Sequence, residues 1–389
     1  MKKIIKTKIN KFICFVSTPN FQKSISRAVL RCITTFIFII FMTSIGGCFA
    51  MYKEEDSIKE LSFSHDGKKV VFDRCRDEGC QIQVYNLETG ELAAYQSPHN
   101  ERWTMGKYSY DGKRITFSVF PIKPNDDLDL GNMQIAVMDA DGKNYKKVTN
   151  GPGAKLYPAF AHNGKKILYA CAARIREKGG TPAVDYDAWE VNLETGEQTR
   201  LTFFEYFYMG YLTYFPDDER FIYYGDRPGI YEGLRSYPDV NAFGAKMVEL
   251  ESQGRGIHGV VVMKGKDLIP GVYNFGAKVR AEKPLLSKDG SMLIFEKSVS
   301  AGKFFLYSPD GNHKLVGEGG SVSSAATSPD EGLLAFIAVS ETMDISTVQD
   351  GKTKLSLYLP RTPKNIKNWP KDLKQEEKRL GYKFRMIPE

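Results

Sequence analysis

Six times along the chain a polar turn is followed, five residues after its second member, by an aromatic ring with apolar residues just before it. The first copy is residues 61–72, LSFSHDGKKVVF. The turns are Asp66-Gly67, Asp111-Gly112, Asn163-Gly164, Asp217-Asp218, Asp289-Gly290 and Asp330-Glu331; the rings are Phe72, Phe117, Tyr169, Tyr223, Phe295 and Phe336. Asp-Gly suits a tight hairpin, because Gly tolerates positive φ and Asp hydrogen-bonds the backbone of its own turn. The β-branched and aromatic run after each turn reads as a buried strand. A second strand recurs at 81–90, 133–142 and 188–197, more weakly at 303–311 and 355–360, and least clearly at 259–265. Successive turns lie 45, 52, 54, 72 and 41 residues apart. A period of about 40–50 residues with several strands per unit predicts an all-β, six-bladed β-propeller over 56–360.

The formal charge of +7 does not change this picture. Eight of the 54 Lys and Arg lie in residues 1–47, which carry no acid, and the remainder nearly balances the 47 Asp and Glu. No nucleic-acid partner is therefore expected. Residues 2–31 are basic, 33–45 (ITTFIFIIFMTSI) are apolar, and Ile45-Gly46-Gly47-Cys48 follows. These are the parts of a secretory signal. The segment resembles a bacterial lipoprotein signal, in which the cysteine of such a box is acylated and becomes the first residue after cleavage. The resemblance implies a signal peptide over 1–47, lipidation of Cys48, a tether over 48–55 and a periplasm-facing protein. Phe49, in place of the Asp that retains enteric lipoproteins at the inner membrane, leans slightly toward the outer membrane. The alternative is an uncleaved anchor, since residues 32–51 are just long enough to span a bilayer.

Export bears on the cysteines. Cys75 and Cys80 flank a hairpin loop and are expected to bridge in an oxidising compartment; a metal site is the alternative, weakened by the lack of His partners. Cys171 reads as a buried free thiol. The loop 121–132 carries Asp126, Asp127 and Asp129 without the spacing of a calcium loop, so a solvated acidic loop is expected rather than a metal site. No cofactor is implied. The tail 361–389 reads as a short helix over 370–380, with Pro370 at its start and Gly381 past its end, then a strand at 382–386 expected as the outer strand of blade six.

The repeats resemble those of TolB-type propellers, relatives of the WD-type repeat. That family's F-S-P-D-G-K-x-I-x-F unit is carried by FSHDGKKVVF (63–72), LSKDGSMLIF (286–295) and TSPD (327–330), and its following strand by IAVMDADG (135–142). The extra α/β domain of TolB proper finds no room between Cys48 and blade one.

A ring of such hairpins puts the Asp-Gly turns on one face. The loops from second to third strand and the blade-to-blade connections lie on the other, and all the long insertions (118–132, 172–185, 225–257) are there. Loops on a rigid scaffold commonly carry function. Tyr206, Phe207 and Tyr208, read as a connection before the first strand of blade four, are binding-face candidates with Arg227, Tyr231 and Arg235, a Tyr, Phe and Arg mixture typical of interface anchors. The function expected is a non-catalytic, membrane-tethered envelope scaffold that binds a protein, peptide or glycan. The alternative is a metal-dependent carbohydrate-active enzyme like an oligogalacturonate lyase, which would need clustered His. No G-x-S-x-G elbow of a serine hydrolase occurs, and Gly351-Lys-Thr353 lacks the earlier glycine of a phosphate loop.

Overall fold

The structure is a computed structural model. It describes residues 57–76, 79–125, 127–175, 183–230, 259–269, 281–286, 292–297, 302–307, 313–319, 324–330, 332–339, 342–348, 352–358, 377–378, 381 and 383–386. The leader, Cys48, Asp126, Tyr231 and Arg235 lie outside the described residues.

The chain forms six blades of antiparallel strands. Blade one is β1 (Ser57–Phe63), β2 (Lys69–Arg76), β3 (Gly79–Asn86) and β4 (Leu92–Tyr95); blade two is β5 (Glu101–Tyr108), β6 (Arg114–Pro121), β7 (Gln134–Asp139) and β8 (Lys146–Lys147). Blade three is β9 (Ala154–Phe160), β10 (Lys166–Ile175), β11 (Ala183–Asn192) and β12 (Gln198–Arg200); blade four is β13 (Tyr206–Tyr214), β14 (Arg220–Pro228), β15 (Gly259–Lys264) and β16 (Asp267–Leu268). Blade five is β17 (Ala281–Leu286), β18 (Met292–Lys297), β19 (Gly302–Tyr307) and β20 (His313–Gly319); blade six is β21 (Ala325–Thr327), β22 (Leu333–Val339), β23 (Thr342–Thr347) and β24 (Thr353–Tyr358). The first strands of successive blades touch in order, and β1 touches β21, so the ring closes.

The repeated turn has a specific chemistry. In blade one Ser64 Oγ donates to Asp66 at 2.5 Å, and the N–H groups of Lys68 and Lys69 donate to Asp66 and to Ser64 Oγ at 3.1 and 3.0 Å. Ser109 and Asp111 repeat this in blade two, as do Ser328 and Asp330 in blade six. The glycine after the aspartate serves the ring as well as the turn. A Cβ on Gly112, at φ +69°, would meet His65 Cβ of the preceding blade at 2.9 Å. Arg114 of blade two donates to the Gly164 carbonyl of blade three at 2.7 Å. In blade four Asp218 holds the same position at φ +56° and accepts N–H bonds from His162 and Asn163. Adjacent turns thus dock on one another, and His65 and His162 are spent in that docking.

The core lies between blades, where each sheet's two faces are covered by its neighbours. Val71, Ile82 and Val84 of blade one pack on Trp103, Ile115 and Phe117 of blade two. Leu61, Val70 and Phe72 meet Ala335, Ile337 and Met343 of blade six across the seam of the ring. Each such side chain contributes about 1.5–3 kcal/mol on burial. Blades three and four are further joined into one eight-stranded sheet, because β11 pairs with β13 at Tyr186 and Tyr206.

One strand expectation changes. Residues 355–360 do not repeat the third strand of a blade: β23 takes that place, and 355–358 belong to the fourth strand, β24. The sequence of β23, TMDIST, has only Met343 and Ile345 as apolar residues and so hides its repeat. Beyond it, β25 (Lys383–Met386) adds parallel to β24 as a fifth strand. Of the expected helix, Glu377 and Lys378 are described and helical; Gly381, at φ +77°, donates its N–H to the Glu377 carbonyl at 2.9 Å.

Candidate binding site at the centre of the ring

The first strands carry a shared irregularity. In blades one to four the register with the second strand slips once, and at each slip stands a non-glycine residue with positive φ: Glu60 (43°), Met105 (62°), Tyr157 (54°) and Tyr211 (57°). Blade five slips at the same place, between Glu282 and Leu285. A bulge re-aims a side chain and breaks the pairing, and non-glycine residues in the left-handed region are costly enough to mark places held by their surroundings. Each of the four stands seven residues before the second turn residue of its blade.

These residues meet around the axis. The Tyr157 N–H approaches Met105 Sδ at 3.3 Å, and the Tyr157 and Tyr211 rings lie 5.3 Å apart. The Tyr157 and Tyr208 hydroxyls are 2.9 Å apart, with the two rings edge to face. Burial raises the pKa of Tyr157 and of Tyr208 well above the ordinary phenol value, so both stay neutral donors. Burial lowers that of Lys107 against the opposing pull of Glu60. The bulge in blade two is tied to blade one by Asp73, which accepts bonds from the Thr104 hydroxyl and from the Met105 and Gly106 N–H groups, the last two at 2.5 and 3.3 Å. Burial pushes Asp73 up to about 7, although those hydrogen bonds pull it down. Perturbed ionisable groups gathered in one place make a candidate functional site.

The residues expected on the binding face separate. Tyr206 is a correction: it does not lie in a connection but opens β13, is fully buried, and shares a 3.2 Å hydroxyl contact with Tyr223. The cause is the pairing with Tyr186, which extends blade four's first strand to the edge of blade three. Phe207 and Tyr208 are also in β13, both half-buried. The Arg227 guanidinium stacks on the Phe207 ring at 3.8 Å while its Nε meets Asp226 at 3.0 Å. Tyr208 joins the central tyrosines, whereas Phe207 and Arg227 form a separate pair at the start of the strand. Sequence reasoning missed Glu60, Met105, Lys107, Tyr157 and Tyr211; all but Lys107 share the seven-residue offset, but no common residue type marks it.

Elsewhere, the sulfurs of Cys75 and Cys80, directly opposed on β2 and β3, are 2.10 Å apart. Cys171 is a free, buried thiol whose pKa is raised by burial. Asp127 and Asp129 of the acidic loop accept bonds from Asn125 and Asn132 at 2.7 and 2.8 Å. Among the described residues no three His, Cys, Asp or Glu gather as a metal site, and no helix is long and apolar enough to cross a membrane.

No family profile and no curated protein matches the sequence. Solved structures do match in fold. TolB from Acinetobacter baumannii aligns with a TM-score of 0.51 at 14% identity, over 78% of this chain and 63% of its own. The fold is that of a TolB-like β-propeller. An oligogalacturonate lyase in complex with manganese aligns with a TM-score of 0.48 at 13% identity, over 77% of this chain and 76% of its own. Pyrococcus horikoshii acylaminoacyl peptidase aligns at 0.47 and 15% identity, over 77% and 44%. At these identities the likeness concerns the fold alone. The chain spans under two thirds of the length of that TolB.

Proposed function

We propose that this TolB-like propeller is a non-catalytic scaffold, tethered in the bacterial envelope through Cys48 and facing the periplasm, that holds a peptide segment of a partner protein in its central channel. The observation that carries this reading is the run of bulge residues around the axis, Glu60, Met105, Tyr157 and Tyr211, with Tyr208 beside them. It offers a carboxylate, a thioether and neutral phenol hydroxyls on a rigid wall. Such a wall suits a segment that presents backbone amides together with mixed side chains. The partner enters from the face bearing the long loops, where Phe207 and Tyr208 lie near the start of β13.

The test is crosslinking of the full-length protein in intact cells of its own host, comparing the unaltered chain with Tyr208→Ala. A dominant envelope protein whose capture falls with the variant supports the scaffold; equal capture by both rejects the channel as its site. Labelling with a fatty-acid analogue tests the anchor, and label retained in Cys48→Ser would exclude acylation at that residue. Glycan enriched in place of any protein would move the reading toward a carbohydrate-binding propeller.

A further inference from the structure

The first strands alternate in accessibility. In blades one, two and four the bulge residue and the residue two places on keep accessible surface: Glu60 and Ser62, Met105 and Lys107, Tyr211 and Thr213. The residues between and after them are buried: Leu61 and Phe63, Gly106 and Tyr108, Leu212 and Tyr214. Successive strand residues point to opposite sides, and the bulge residues meet around the axis, so the accessible side is the channel wall. The wall has two tiers, seven and five residues before the second turn residue of each blade.

The second tier lies nearer the turn-bearing face and carries one charge. Lys107 stands in it; the corresponding residues of the other five blades are Ser62, Ala159, Thr213, Leu285 and Ala326, none of them ionisable. Among the described residues Lys107 has no ion pair, and the charge that bears on it is Glu60 of the first tier. Burial lowers its pKa, although its side chain keeps accessible surface. A group so enclosed and still reached by water sits in a channel and not in a packed core. An ammonium there has lost hydration without gaining a matched anion, which is costly.

Tyr110 narrows the end beyond Lys107. In the turn after β5, it stacks on His162 of blade three at 3.5 Å and hydrogen-bonds Thr213 of blade four, a residue of the second tier. A segment entering from the loop-bearing face therefore meets the tyrosines of the first tier, then a mostly small-residue tier with one cation, then this ring. Such a path suits a chain that ends there better than one that runs through.

Given a peptide segment in the channel, as proposed above, we infer that the segment is a free C-terminus whose α-carboxylate is held by Lys107. The ammonium offers three donors with no fixed plane, and bonds between such charged groups are the strong ones. The test offers the purified full-length protein two pools of short randomised peptides, alike in composition. One pool ends in a free carboxylate and the other in a carboxamide, and retained peptides are read by mass spectrometry. The free-acid pool is expected to be retained roughly tenfold more, as the loss of one hydrogen bond to a charged group implies. Lys107→Gln should abolish that preference with an unchanged melting temperature, and Lys107→Arg should keep part of it. Tyr208→Ala should weaken both pools alike. If neither pool is retained, the peptide reading of the channel fails and this inference with it. If both are retained equally by the unaltered protein and lost with Tyr208→Ala, the channel binds peptide without reading a chain end, and this inference alone is overturned. A free-acid preference that survives in Lys107→Gln overturns it too. So does equal retention of both pools that depends on Lys107 and enriches Asp or Glu, which would put an internal acidic side chain on the ammonium.

Discussion

Asp73 of blade one accepts the backbone N–H of Met105 in blade two at 2.5 Å, so that a buried carboxylate of one blade holds the bulge of the next. With the bonds from Thr104 and Gly106 it satisfies groups that the bulge removes from the sheet ladder. Asp73→Ala leaves the Met105 and Gly106 N–H groups without this acceptor; each such buried orphan costs about 1–3 kcal/mol. The expected outcome is a large fall in the urea midpoint and loss of partner capture together.

The same residue gives a signed pH dependence. Its native pKa is raised from 3.8 to about 7. Between those values the native state keeps a proton that the unfolded chain has released, so the Asp73 contribution to stability is complete below the ordinary carboxylate range and is lost as pH rises through about 7. Denaturation of the unaltered protein and of Asp73→Asn across pH 4 to 8 checks this. The difference between the two should move in favour of the Asn variant as pH rises; a constant difference would contradict it.

Glycine at the turns separates two costs. Gly112→Ala places a Cβ against His65 at 2.9 Å with φ at +69°, whereas Gly196→Ala at φ +75° meets nothing within 4 Å. The second variant should cost about 1–2 kcal/mol, the penalty of the left-handed conformation alone. The first should cost more by about 1–3 kcal/mol, the range for forcing extra volume into a packed contact. Equal melting temperatures would mean that adjacent turns do not dock tightly.

The ring itself was legible in the sequence because its signal is periodic: a turn, then a buried aromatic at a fixed distance. The centre was not, because the residues that meet there share a backbone position and not a chemistry. Glu60, Met105, Tyr157 and Tyr211 have no common hydropathy, and a bulge is set by how strands crowd around an axis. Tyr206 failed for a related reason. The sequence marks where a blade's strand must begin but not that β13 runs on to pair with β11. Asp218 shows a further limit, since its place in the turn looks like a lost glycine until its carboxylate is seen holding His162 and Asn163.

Among the aromatic cluster, stability and binding are expected to part. Tyr206 is fully buried against Tyr223 and Phe204, so Tyr206→Ala should cost about 3–5 kcal/mol, the range for truncating a large buried ring. Tyr208→Phe keeps the ring and removes only the hydroxyl that meets Tyr157. It should leave the melting temperature within a few degrees while lowering partner capture. If Tyr208→Phe unfolds the protein, the central hydroxyl pair is a structural element and the binding reading fails.

Ring closure gives the last prediction. Among the described residues blades one and six share no strand, and the seam is packed by Leu61, Val70 and Phe72 against Ala335, Ile337 and Met343. A Cβ on Gly67 would lie 3.6 and 3.9 Å from the side chains of Ser328 and Pro329, so the first and last turns lie close together. A polar tie crosses from outside: Arg385 of β25 donates to the Leu87 carbonyl at 2.7 Å. Because β25 also pairs with β24, this bond links the outer edge of blade six to the turn after β3. Arg385→Ala removes the tie and leaves every blade intact, so it should cost about 1.5–3 kcal/mol, the usual worth of a hydrogen bond to a charged group. The loss should concentrate at the seam. Hydrogen exchange is expected to quicken in β1 and β24 while β10 and β11 keep their protection, since local openings follow the least stable contacts. Uniform acceleration across all blades would mean that the ring opens as one unit and that the seam is no weaker than the other boundaries.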